Sequence, residues 1–111
     1  SIKYEDSKRA ISWLCNVFGF ERHLIVPGDT GGIIHAQLVS DEAMIMLGDG
    51  QEDSSIGNLT RSPTQLVGYN TSGIYMIVEV LDAHYGKTKA AGPDIVFDIK
   101  DEDHGGRRYN C

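Results

Sequence analysis

Two stretches of the chain follow one plan, and a repeated plan restricts the fold more than any single residue does. Tyr4-Glu5-Asp6 opens a helical segment ending at Phe18-Gly19-Phe20, and Val80-Leu81-Asp82 opens another ending at Ala91-Gly92-Pro93. The frame is ordinary helix punctuation. An Asp side chain accepts from the free amides of a first turn, and a Gly takes the left-handed conformation that closes the last. In the first segment Ile11, Leu14, Cys15 and Phe18 recur at helical spacing, which predicts one covered face with Lys8, Arg9, Ser12 and Asn16 turned to water. The second carries a thinner stripe of Leu81, Tyr85, Thr88 and Ala91, with His84, Lys87 and Lys89 outside it.

Between the helices the apolar pattern shortens to period two. Residues 20–26 read as a strand, 27–32 as a Gly-rich turn, and 33–39 as the returning arm of a hairpin. After the reversal at Ser40-Asp41-Glu42, the nearly all-apolar run 43–47 predicts an antiparallel strand buried on both sides or nearly so. A Gly-, Ser-, Asn- and Asp-rich stretch at 49–72 separates this first unit, 1–48, from a second at 73–111. The second unit restarts with a strand at 73–80, followed by its helix, a strand at 94–99 and a last strand at 107–111.

Length and composition narrow the function classes. With 111 residues, 41% of them hydrophobic and 23% charged, the chain has the makings of one soluble domain. Its net charge of −6 and single basic doublet, Arg107-Arg108, lack the positive stripe that phosphate neutralisation needs, so nucleic acid is not an expected partner. No apolar run approaches the roughly twenty residues of a membrane span, and nothing at the N-terminus reads as a signal peptide. The expectation is a cytoplasmic protein with no membrane partner, and with Cys15 and Cys111 as free thiols.

Local sequences then narrow the plan to a family. Tyr4-x-Asp6, Ala10-Ile11-x-Trp13-Leu14 and Phe18-Gly19-Phe20-Glu21 are followed by His35-Ala36-x-Leu38 and Met44-Ile45-Met46-Leu47. Next come Val80-x-Asp82-Ala83-His84-Tyr85, Ala90-Ala91-Gly92 and Gly105-Gly106-Arg107-x-Tyr109. In this order they resemble the glyoxalase and bleomycin-resistance branch of the vicinal oxygen chelate superfamily. The resemblance implies an α+β fold of two tandem βαβββ-type units with curved mixed sheets around a central cavity. It also implies a closing strand after the last one, which in metal-using members carries a final ligand; this sequence stops at Cys111, so the second unit reads as truncated.

Strand alternation sorts the side chains independently of the family. On 33–39, Ile34, Ala36 and Leu38 form an apolar face suited to the helix, which leaves His35 and Gln37 for the concave side. On 73–80 the same logic sends Tyr75 and Glu79 to the concavity and Met76 beneath the helix, while the direction of Arg107 and Tyr109 stays open. The expected ligand-binding residues are His35, Gln37, Met46, Tyr75 and Tyr109, oriented polar groups in an apolar pocket. Each has a blander role available, the His as a hydrogen-bonded strand residue and the Tyr rings as core area.

A metal site would need His, Glu or Gln at matching strand positions in both units. Strand 43–47 offers only Ala, Met, Ile and Leu, and the strand at 73 begins Gly-Ile-Tyr. The leading expectation is therefore a metal-free small-molecule binding protein, dimeric because half-barrels leave strand edges exposed. A metal-dependent lyase or dioxygenase of the same superfamily, with a divalent ion, is the alternative. A dimeric structural or regulatory module is the third.

Overall fold

The first helix forms where its punctuation places it. In the computed structural model, which describes residues 1–50 and 57–111, helix α1 spans Ser7–Phe18. The Asp6 carboxylate accepts from the Arg9 amide at 3.0 Å, and Gly19 closes the helix at φ 74°, its amide donating to the Cys15 carbonyl. The buried face runs through Ser7, Ala10, Ile11, Leu14 and Val17. Cys15 and Phe18, expected in the stripe, sit at its half-buried border, because the helix meets the sheet along the neighbouring row.

Contacts divide the described residues into two compact units, Ser1–Gly73 and Ile74–Cys111. The first contains strand β1 (Ile2–Tyr4), α1, β2 (Glu21–Pro27), β3 (Ile33–Ser40) and β4 (Ala43–Asp49). They form one mixed sheet in the order β1-β4-β3-β2, with β1 parallel to β4 and the other pairs antiparallel. The fold class is α+β with mixed open sheets, as the repeat implies. Ala36, Leu38 and Leu47 are fully buried and pack with Ile11, Leu14, Val17 and Phe20 into the core of this unit. Burying a leucine of this kind stabilises the fold by roughly 1.5–3 kcal/mol.

Two strand irregularities shift side chains away from simple alternation. Arg22 pairs with Leu38 and Ile25 with Ala36, so β2 carries one extra residue, His23, across that interval. Further along, Val26 pairs with His35 but Pro27 with Ile33, which makes Ile34 the extra residue on β3. Ile33 consequently takes the core position and Ile34 is exposed, the reverse of strict alternation. Strand β4 also departs from expectation. Leu47 is buried, but Met44 and Met46 are each more than two-fifths exposed, so only one face of this apolar strand is covered within its unit.

Beyond β4, the stretch read as a separator holds two short turns of 3-10 helix, Gly57–Leu59 and Pro63–Leu66. The Gln65 side chain accepts from the Ser62 amide at 2.9 Å and so caps the second of them. The part of that stretch at 51–56 lies outside the described residues.

The second unit contains helix α2 (Leu81–Ala91) and a two-stranded antiparallel sheet of β5 (Phe97–Asp101) and β6 (Arg107–Asn110). Gly92 ends α2 at φ 98°, but its N-cap is Val80 rather than an Asp. Asp82 sits inside the first turn and pairs with Arg107 at 3.2 Å. His84, expected on the outer face, is instead half-buried toward β6, where its Nδ1 lies 2.7 Å from the Tyr109 hydroxyl. Residues 73–80 form no strand ladder. Their alternation survives, with Met76 and Val78 half-buried and Tyr75, Ile77 and Glu79 exposed, but β propensity yields a strand only where a neighbour accepts and donates.

The sidedness of β3 is directly measurable. Truncating the fully buried Leu38 to Ala is expected to lower stability by about 2–5 kcal/mol through the cavity it leaves. Gln37→Ala, one residue away on the opposite face, should change stability by no more than about 1 kcal/mol in chemical denaturation.

Candidate functional site

The face of the first sheet that points away from α1 is the candidate site. Gln37 pairs across the strands with Met46 on one side and Leu24 on the other, and Val39 pairs with Met44. His35 and Gln37 stand two residues apart on β3, so alternation sets them side by side, and the amide Nε2 lies 3.3 Å from the imidazole Nε2. With the amide donating, His35 accepts at Nε2 and holds its proton at Nδ1. Leu24, Met44 and Met46 are each a little over 40% exposed around this pair. The result is an apolar surface with one oriented polar pair in its middle. Sequence alternation placed His35 and Gln37 together, and Met46, Leu24 and Met44 join them by cross-strand pairing.

Asp49 fixes the start of the strand that carries the pair. One carboxylate oxygen accepts from the Ser7 amide at 2.9 Å, and the other accepts from the Ile33 amide at 2.6 Å. The end of β4 is thereby tied to the first turn of α1 and to the first residue of β3. Gly48 before it is required by closeness, since a Cβ there would strike the Ile34 carbonyl oxygen. Burial alone would raise the Asp49 pKa. The Ile33 and Ser7 amides, with smaller contributions from the Ser7 hydroxyl and Lys3, outweigh burial and hold the carboxyl below its usual value. The Ser7 hydroxyl adds only to the field, for its Oγ closes no regular hydrogen bond.

The two tyrosines belong to the second unit. Tyr75 is 87% exposed in the segment before α2. Tyr109, whose direction the sequence left open, turns toward α2. Its hydroxyl lies within hydrogen-bond reach of His84 Nδ1 and, at 3.0 Å, of the buried Thr88 hydroxyl, and its ring meets Tyr85 edge-on at 5.0 Å. Burial raises the Tyr109 pKa, and burial followed by the charge of Lys87 pushes His84 below its ordinary range. The Tyr109 hydroxyl is thus engaged in packing helix to strand. On the same face, Arg107 joins Asp82 and Asp101 at 3.2 and 3.0 Å.

Comparison with known proteins settles the family. The profile of the Glyoxalase/Bleomycin resistance protein/Dioxygenase superfamily matches residues 2–111. The chain belongs to this superfamily. The crystal structure of TioX from Micromonospora sp. ML1 is similar at a TM-score of 0.68 and 28% identity, over 97% of this chain and 79% of TioX. A superfamily member from Sphaerobacter thermophilus DSM 20745 gives a TM-score of 0.59 at 17% identity, over 97% of this chain and 80% of its own, a likeness of fold alone. Among curated protein sequences none matches this chain.

Many members of the superfamily use a divalent metal, so the donor set is worth testing against one. The Gln37 amide is the polar group at His35, and among the described residues no three His, Cys, Asp or Glu side chains converge. Glu21, paired with Val39 at the far end of β2, is the carboxylate on this face, four residues along β3 from His35, and Asp49 has both oxygens occupied by backbone amides. These residues do not make a divalent-cation site. The helix-side position of Arg22 and the anchoring role of Asp49 were not legible in the sequence. The first depends on a bulge, and the second joins residues far apart in the chain.

Asp49 gives the first unit a defined acid response. A carboxylate whose folded pKa is lowered contributes stability that is complete above its unfolded value, about 3.9, and is lost as pH falls through the lower folded value. Asp49→Asn should therefore cost about 1–3 kcal/mol at neutral pH. Denaturant titrations repeated across the acid range should show a smaller further loss for the Asp49→Asn variant than for wild type below about pH 4.

Proposed function

We propose that the chain is a small-molecule binding protein of the glyoxalase and bleomycin-resistance type whose binding face needs no metal. The observation that carries this reading is the His35–Gln37 pair held at 3.3 Å in the middle of the Leu24, Met44 and Met46 surface. Apolar side chains there supply contact area, and Met adapts its shape to irregular ligands. The polar pair supplies direction: one amide oxygen accepts, and the imidazole Nδ1–H donates. A small organic molecule bearing both an acceptor and a donor fits this combination. Superfamily membership supports small-molecule binding as the class of activity.

The same reading includes a homodimer. The four-stranded sheet ends in β1 on one side and the seven-residue β2 on the other, and an edge of that length is normally paired or covered in solution. It also places the protein in the cytoplasm, where Cys15 and Cys111 stay as free thiols; among the described residues no helix is long and apolar enough to cross a membrane.

Elemental analysis of the purified protein is expected to find far less than one zinc, iron, nickel or manganese per chain. About one ion per chain, lost in His35→Ala, would overturn the metal-free reading. A screen of small organic compounds carrying both a hydrogen-bond donor and an acceptor, read by melting-temperature shift, should yield hits whose shift shrinks in Gln37→Ala while the unliganded melting temperature stays close to wild type. Light scattering at micromolar concentration should give twice the chain mass, and a monomer there would remove the dimer from the proposal.

A further inference from the structure

A second depression lies on the other side of the first sheet, between α1 and the edge strand β2. It is an open groove of about 180 Å³, lined by Lys8, Ile11 and Ser12 from the helix and by Arg22, Ile25 and Ile33 from the sheet. The floor is apolar and the rim is cationic. Ile11 and Ile33 are almost wholly buried beneath it, while Arg22 reaches across the mouth with an NH2 group 3.5 Å from the Ser12 hydroxyl. Among the described residues neither Lys8 nor Arg22 is ion-paired with an acid, although the chain as a whole carries −6.

The strand irregularities build this groove. In a regular strand, residues 22 and 25 would point to opposite faces. The extra residue at His23 brings Arg22 opposite Leu38 and Ile25 opposite Ala36, both buried on the helix side, so both face the groove. The second irregularity, at Ile34, brings Ile33 under it in the same way. Bulges that re-aim side chains recur at sheet edges and next to binding sites.

We infer that this groove is a second binding site, independent of the open face carrying His35, and that it takes a small branched aliphatic carboxylate. The volume holds a ligand of about five to eight non-hydrogen atoms. The alkyl end would rest on Ile11, Ile25 and Ile33. The carboxylate would meet the guanidinium of Arg22, whose fork matches two oxygens, with Ser12 donating and Lys8 adding charge. The overall negative charge opposes an anion only weakly here, since at about 0.1 M salt charges beyond roughly 10 Å are screened whereas the two cations stand at the rim.

The test is a titration of the intact chain with isovalerate, followed by the methyl chemical shifts of its isoleucines. Saturable movement of Ile11, Ile25 and Ile33 is expected with a Kd of about 1 mM. Isoamyl alcohol, of the same shape without the charge, should bind about tenfold more weakly, and Arg22→Gln should weaken isovalerate by a similar factor. Ser12→Phe, at an exposed position on the rim, should fill the mouth and abolish the response without lowering the melting temperature by more than a few degrees. Absence of saturable shifts at the three isoleucines overturns the site. Equal binding of acid and alcohol, or unchanged binding in Arg22→Gln, overturns the carboxylate assignment. Shifts confined to residues around His35 and Met46 move the ligand to the open face and overturn it as well.

Discussion

The Asp49 carboxylate accepts from two backbone amides that are distant in sequence, those of Ser7 and Ile33, and it sits at the end of the strand lying between β1 and β3. The first unit depends on these two bonds. The Ser7 amide belongs to the first turn of α1, where four N–H groups have no partner inside the helix. Asp6 supplies the local cap, and Asp49 supplies another from across the fold. A negative charge near this helix terminus also opposes the positive end of the helix dipole. Helix, sheet end and hairpin arm are therefore fixed by one side chain, and the positions of Ile11 above the sheet and His35 below it follow from that arrangement.

The sheet then separates two chemistries. Its helix side holds Ala36, Leu38 and Leu47, fully buried, while its other side carries the methionines and the His35–Gln37 pair. A one-residue slip would exchange these sets, so the bulges at His23 and Ile34 matter beyond their local geometry. They keep the buried set buried along the whole hairpin despite a sequence that does not alternate cleanly. They also turn Arg22 toward the helix, which gives that side a charged rim that a regular β2 would have lacked.

The second unit shares the Gly stop of the first but not its Asp cap, and it packs differently. Where α1 buries aliphatic side chains, α2 buries Thr88 and sets it against Tyr109 and His84, a polar seam joined by hydrogen bonds at 3.0 and 2.7 Å. Polar contacts of this kind contribute about 1 kcal/mol each and demand geometry that apolar burial does not. This explains why the apolar stripe there was thin and why His84, outside it by hydropathy, is inside it by contact. Tyr109 could not be assigned a direction from β6 alone, because a four-residue strand with charged neighbours carries no apolar face to orient it.

By itself the sequence determined both helices and their Gly stops, the hairpin, the α+β class and the superfamily, because capping, periodicity and ordered motifs are properties of short stretches. It also placed His35 and Gln37 on one face by alternation, and the register from Ala36 to Leu47, which pairs without interruption, sets Met46 opposite Gln37. Tertiary structure alone decided the rest. Ile33 replaced Ile34 in the core, Arg22 turned to the groove, and residues 73–80 kept a strand's alternation without a strand's ladder. Each of these turns on which backbone group lies opposite which, and pairing partners, unlike helix caps, are supplied by residues far along the chain.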